Sequence, residues 1–364
     1  MNRALRIAVS FCILFAAGKY CTNAAEPDML YRNAKSIGMG NVKVAGEFNY
    51  NGFINNPALL TKIKKIRFCL IRLPLTVNDH VYDFGNFIKD EYTDIARYGD
   101  LKPEEKNLLI NDIIQREGTW GRVFLSPMID IAAAIHGHHF GFASYATNRI
   151  GIKMDRGIYE PRIYGSGAST VAFIFGYARS LNTLYPGLNM GVNVKFLQRH
   201  NTESFQLRAR DLGDIFETTK PIYDQYRKKT TNLFVFDVGT LLELPGINST
   251  VGASVQFLGM GDYASVDIGV TRRLLRKHVN VSADYIDVFD NNKENIFKKI
   301  HAGIEYRHYF LAFRGGINSG YPTIGFGLNF KVIDLDFAYY SEEMAKRPGV
   351  KSDNRYMTQI KIGW

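Results

Sequence analysis

The 364-residue chain is 46% hydrophobic and 22% charged, ordinary values for a folded protein, and its formal net charge is +10. Beyond the N-terminus no stretch holds the 18 or more apolar residues that a membrane-crossing helix needs, which excludes an α-helical membrane protein. Aromatics at 13% and 33 glycines favour strands and turns. The positive charge is scattered, without a basic face interleaved with aromatics, and suits anionic lipid better than nucleic acid.

At the N-terminus Arg3 and Arg6 precede a short apolar run, residues 7–17, and small residues at 22–25 offer a cleavage site. This pattern predicts a signal peptide over 1–24, too short to anchor as a spanning helix. Cys21 would be the lipidated residue of a lipoprotein, but Lys19 and Tyr20 stand where processing prefers small residues. Removal of the leader leaves Cys69 as the single cysteine, so no internal disulfide is expected.

The first predicted strand, 66–76, is followed by the longest connection, 77–128. Phe84, Phe87 and Ile88 fall at helical spacing, and after Pro103 the residues Leu108, Leu109, Ile113 and Ile114 form an apolar stripe behind Glu104 and Glu105. Two short amphipathic helices are expected. His136, His138 and His139 occupy a predicted hairpin turn without an accompanying cysteine or carboxylate, so no metal site is assigned. No nucleophile elbow, phosphate loop or metalloprotease motif occurs, and neither an enzyme nor a cofactor is expected.

From about residue 168 the chain repeats one unit: eight to twelve residues of period-two alternation, then a turn. Leu188, Met190, Val192, Val194 and Phe196 share one face of a strand, and Asn189, Asn193 and Lys195 the other. Likewise Ile300, Ile304 and Tyr306 oppose His301, Glu305 and Arg307. A soluble sandwich would also alternate. Strands are placed at 66–76, 129–136, 140–148, 168–180, 188–198, 231–244, 249–258, 265–271, 278–286, 298–306, 310–317, 323–330, 332–340 and 356–364, an even number of about fourteen. Connections after even-numbered strands are short and those after odd-numbered ones mostly long, 259–264 and 318–322 being the brief exceptions. Outer-membrane barrels show this parity, with tight turns in the periplasm and long loops outside. The basic group Arg272, Arg273, Arg276 and Lys277 then falls in a periplasmic turn.

The final strand alternates Tyr356, Thr358, Ile360, Ile362 and Trp364 with polar and small residues. Tyr356, Ile360, Ile362 and the terminal Trp364 resemble the signal that barrel-assembly machinery recognises in its clients. A second resemblance lies after the leader. Ser36-Ile37-Gly38-Met39-Gly40, Val44-Ala45 and Asn55-Asn56-Pro57-Ala58-Leu59-Leu60 are similar to the N-terminal motifs of FadL-like outer-membrane barrels, a superfamily that includes PorV-type proteins and spirochaete relatives. Leu59 departs from the pattern, where glycine is usual, and Glu47-Phe48 replaces the usual acidic pair.

The resemblance implies an all-β fold: a fourteen-stranded antiparallel transmembrane β-barrel over 66–364, with an N-terminal hatch segment over 25–65 and a helical extracellular loop over 77–128. Gly38, Gly40, Asn55, Asn56, Pro57, Ala58 and Leu59 would carry the hatch; a polar lead-in to the first strand is the alternative for the same residues. Phe84, Phe87, Ile88, Leu108, Leu109, Ile113 and Ile114 would capture substrate in the loop, unless the helices are a lid packed on itself. The expected setting is the outer membrane of a diderm bacterium, with its lipid and the barrel-assembly machinery as partners. The implied function is uptake of long-chain fatty acids or similar hydrophobic molecules. A PorV-like scaffold for exported proteins and a general porin are the alternatives.

Overall fold

The computed structural model describes residues 31–46, 52–97, 100–115, 120–155, 162–208, 230–259, 264–275, 278–291, 294–345 and 349–364. The expected signal peptide, and residues 25–30 and 47–51 of the expected hatch, lie outside them.

Fifteen strands pair into one antiparallel sheet. They are β1 Arg67–Asn78, β2 Trp120–Leu125, β3 Met128–Ile135, β4 His138–Asp155, β5 Arg162–Ser180, β6 Leu188–Arg208, β7 Thr230–Leu244 and β8 Ser249–Leu258. The remainder are β9 Ser265–Leu274, β10 Val279–Tyr285, β11 Ile300–His308, β12 Leu311–Asn318, β13 Tyr321–Asn329, β14 Ile333–Glu343 and β15 Ser352–Gly363. The sheet closes on itself where β15 pairs with β1, from Cys69 opposite Gly363 to Asn78 opposite Arg355. Closure pairs the first strand with the last and so removes the free edges that an open sheet would present to lipid.

β2 and β3 are halves of one stave, because each pairs with β1 on one side and β4 on the other. The barrel therefore has fourteen staves, one of them broken at Ser126-Pro127. Proline lacks the N–H that would continue the ladder. The break is nevertheless bridged, by Ser126 N–H to Pro74 O at 3.1 Å and by Ala146 N–H to Pro127 O at 3.0 Å. Residues 120–125, expected in the long loop, are thus wall.

Burial is inverted relative to a water-soluble protein. On β6, Val192 and Val194 are 46% and 40% exposed, whereas Asn193 and Lys195 between and beside them are 0% and 1% exposed. On β11, Ile304 and Tyr306 face out while His301 and Glu305 are buried. An apolar exterior around a polar interior is the arrangement of a transmembrane barrel, and a soluble sandwich would show the reverse.

The wall is uneven. β4, β5 and β6 run 18, 19 and 21 residues, whereas β9 to β13 have 7 to 10. Since about nine to eleven tilted residues span the hydrocarbon, roughly half of each long strand stands beyond it. Reading strands that stop at 148 or 198 and begin at 168 truncated this wall.

Tight turns gather at one end. His136-Gly137 turns at φ of 50° and 79°, and Tyr309 at 51°. Trp364 lies at this end, its ring 5.4 Å from that of Phe68. The opposite end carries the helical connection. Four α-helices accompany the sheet among the described residues: α1 Ala34–Gly38, α2 Asp79–Ala96, α3 Pro103–Gln115 and α4 Ile296–Lys299. None is long and apolar enough to cross a membrane.

Candidate functional site

Residues 31–46 and 52–63 lie inside the barrel, against the inward-facing side chains of its wall. Their local structure follows from a few side chains. Asn33 caps α1, its Oδ1 accepting from Ser36 N–H at 2.8 Å. Gly40 turns the chain at φ 71°, and a Cβ there would stand 2.2 Å from the Ala302 carbonyl, so only glycine fits. Asn56 is the central fastener. Its Oδ1 accepts from Ala58 N–H at 3.1 Å, opening the 3-10 helix Pro57–Lys62. Its Nδ2 donates to Val44 O at 2.8 Å and to Thr240 O on β7 at 3.3 Å. One fully buried amide thus ties the two halves of the plug to each other and to the wall.

Irregular backbone at membrane depth is stable only where its polar groups find partners. Here wall side chains supply them. Asn193 donates to Phe53 O at 2.7 Å and Lys195 to Ile54 O at 2.9 Å. Asp284 accepts from the N–H groups of Lys43 and Val44, at 2.6 and 2.9 Å, and the His301 ring meets Gly40 O at 2.9 Å. The charges are themselves matched: Lys195 to Asp237 at 2.6 Å, and Arg314 to Glu305 and Asp336 at 2.8 and 2.9 Å. Lys35 on α1 sits between Asp334 and its neighbours, 3.5 Å from that carboxylate. Burial pushes its amine below the usual lysine value, against the pull of Asp336 and Asp334.

Close approach is made possible by glycines on the inner face. A Cβ at Gly191 would meet Pro57 C at 2.6 Å, at Gly239 the Asn56 Oδ1 at 2.0 Å, at Gly303 the Met39 O at 2.2 Å, and at Gly325 the Gly38 Cα at 2.9 Å. Gly141 and Gly176 give the same room to Leu60, with Cβ distances of 2.7 and 2.9 Å. The plug therefore follows a track of side-chain-free positions around the wall. Its apolar residues Phe53, Ile54 and Leu60 pack with Tyr145, Ile174, Leu197 and Val235.

The sequence-predicted hatch residues fall in these two inner segments. Gly38 lies on Gly325, Ala58 and Leu59 pack with Ala45 and Leu241, and Asn55 is half-buried. Asn55 lines a shallow polar hollow with Arg32, Asn33, Ser36, Asn41 and Lys43. In the loop, Phe87 of α2 and Leu109 and Ile113 of α3 are buried, whereas Leu108 and Ile114 are 70% and 37% exposed. Phe84 is half-buried, and the Ile88 side chain lies outside the described residues. Tyr356, Ile360 and Trp364 point to the exterior, and Ile362 is half-buried. Among the described residues no group of His, Cys, Asp or Glu is placed to hold a metal, and His138 instead meets Tyr177 at 2.8 Å. Cys69 is unpaired and buried. The alternation placed Asn193, Lys195 and His301 on polar strand faces without assigning them a role; their inward, mid-wall position was the available signal.

No family model matches the chain, and no curated protein matches it in sequence. Solved structures do match in shape. The toluene transporter TodX of Pseudomonas putida aligns with a TM-score of 0.55 at 11% identity, over 91% of this chain and 97% of that one. The toluene transporter TbuX of Ralstonia pickettii gives 0.51 at 13%, over 91% and 97%. The monoaromatic hydrocarbon channel CymD gives 0.53 at 12%, over 91% and 96%. At these identities the likeness shows the fold: a closed antiparallel barrel of fourteen staves with an apolar exterior, shared with these three structures.

Proposed function

We propose that this barrel admits hydrophobic molecules through the outer membrane by diffusion past the plug, with long-chain fatty acids as the substrate class. The observation that carries the reading is the placement of residues 31–46 and 52–63 inside the barrel, hydrogen-bonded to wall side chains. An occupied lumen speaks against the standing aqueous pore of a general porin. A hydrophobic solute, by contrast, partitions to the apolar outer surface and needs only a transient path. Two of the structural neighbours are toluene transporters and the third is a monoaromatic hydrocarbon channel, which supports a hydrophobic substrate here.

Proteoliposomes provide the test. Oleate should enter faster than into protein-free vesicles and faster than toluene relative to its own control, while sucrose stays excluded. If neither oleate nor toluene gains over the control, uptake is wrong; if sucrose enters equally well, the barrel is a general pore. The second reading, a PorV-like scaffold for exported proteins, has the tall β4–β6 wall in its favour. Affinity capture separates the two, because a scaffold retains exported proteins and a transporter retains lipid.

A further inference from the structure

The outer helices and the plug are joined by a continuous run of buried and half-buried polar contacts. Arg32, at the start of the plug, pairs with Glu342 of β14, and Glu342 pairs in turn with Arg355 of β15. The Arg355 Nε donates to Asp353 Oδ2 at 2.7 Å, and Asp353 Oδ1 also faces Arg122 of β2 at 3.0 Å. The five charges alternate in sign. Asp353 then accepts from Asn78 Nδ2 at 2.8 Å, and the same nitrogen reaches Trp120 O at 2.6 Å. Asn78 is the last residue of β1, directly before α2. A parallel branch runs from Ser341 through Asn354 to the carboxylate of Asp79, the first residue of α2, at 2.7 and 3.3 Å. Asn78, Asp353 and Arg355 are only 2%, 3% and 3% exposed, so water does not weaken these contacts as it weakens a surface pair. Arg355 is further clamped over the Phe124 ring, 4.7 Å from its centre.

α2 rests on β2 at a glycine. A Cβ on Gly121 would have Val81 at 3.7 Å and Phe84 at 3.8 Å, ordinary contact for a methyl group and no room for more. The seat of α2 and the carboxylate that organises Asn78 and Arg122 are therefore one unit.

We infer that Asn78, Asp353, Arg355 and Glu342 are positioning residues that couple the seating of α2 to the hold on the plug's first arm, residues 31–41. When α2 leaves its seat, Asn78 and Asp79 withdraw, Asp353 and Arg355 rearrange, and Glu342 releases Arg32. The second arm, 52–62, is held by Asn193, Lys195 and Asn56 on the other side of the lumen and stays in place. The coupling deepens the uptake proposal and rests on it, since it supplies the means by which an event at the mouth loosens the plug. The geometry differs from direct contact between helix and plug, because every link runs through the wall.

Two added cysteines test it, Ser36→Cys in the first arm and Thr61→Cys in the second, with the protein that carries only its buried Cys69 as baseline. Labelling by a membrane-impermeant maleimide is followed in outer-membrane vesicles. Asp353→Asn touches no described plug residue yet should raise labelling at the first reporter roughly tenfold or more, because it removes the carboxylate that Arg355 and Arg122 share and leaves Arg355 to compete with Arg32 for Glu342. Gly121→Leu, which wedges α2 off β2 without altering a charge, should do the same. The second reporter should change less than about twofold in both. Heat-modifiable gel mobility confirms that the barrel is folded, and Gly121→Leu decides the matter if Asp353→Asn does not assemble. An unchanged first reporter in a folded barrel, or an equal rise at both reporters, overturns the coupling. No substrate enters the assay, so failed coupling and failed uptake are read separately.

Discussion

Gly191→Ala sets strand physics against plug packing. In a bare β-strand the change stabilises, by about 0.5–1 kcal/mol, because glycine loses the most backbone freedom on folding. In this barrel the new methyl would lie 2.6 Å from Pro57 C, 2.7 Å from Pro57 O and 2.7 Å from Ala58 N. All three are backbone atoms, so no side chain can swing aside. Ordinary contact begins near 3.4 Å, and the plug must retreat by roughly 0.7 Å, a strain on the order of 1–3 kcal/mol. Each 1.4 kcal/mol multiplies the displaced population tenfold, so opening should rise about five- to hundredfold while the barrel keeps or gains thermal stability. Single-channel recording in planar bilayers counts the openings, and heat-modifiable mobility reports the barrel. Unchanged opening together with unchanged stability would refute the argument, since the methyl would then have met no plug.

Lys195→Met should destabilise the barrel by about 3–5 kcal/mol, because it strips the buried Asp237 carboxylate of the ammonium 2.6 Å away and leaves it only the hydrogen bonds from Asn193 and Phe257 N–H; adding Asp237→Leu should restore most of the lost unfolding temperature. Asn56→Ala deletes the cap on Ala58 and the bonds to Val44 and Thr240. A loss of about 2–4 kcal/mol should fall on the plug, read as faster protease cleavage within residues 31–62 of an otherwise intact barrel. Trp364→Ala removes a ring packed on Phe68 and the aromatic end of β15. It should lower the yield of assembled barrel in cells while refolding in detergent proceeds, and equal loss in both settings would assign Trp364 to stability alone.

The sequence made the barrel legible because lipid imposes a strict period: Val192 and Val194 must face out, and Asn193 and Lys195 in. Where that constraint lapses the reading faltered. The outer halves of β4 to β6 stand beyond the hydrocarbon, so residues such as Arg149 and Lys153 need no apolar partner face, and the segment reads as loop. β2 was hidden by Ser126-Pro127, which punctuates the stave although the wall continues through it. The hatch motif was visible in Gly38, Gly40 and Asn56. Its partners were not, because Gly191, Gly239 and His301 lie more than a hundred residues away and acquire meaning only once the path of the plug is known. The alternating charges from Arg32 to Arg122 are equally non-local.

The account stands most directly on what happens when the plug is removed. In one preparation of proteoliposomes, fluorescent fatty-acid influx and small-ion leak are measured together for the intact chain and for a variant lacking residues 36–60. The intact barrel should pass the fatty acid and hold ions, and the deletion should leak ions steadily with its selectivity for the fatty acid lost. An intact barrel that leaks as freely as the variant, or a variant that still holds ions and still selects the fatty acid, would contradict a plugged barrel for hydrophobic uptake.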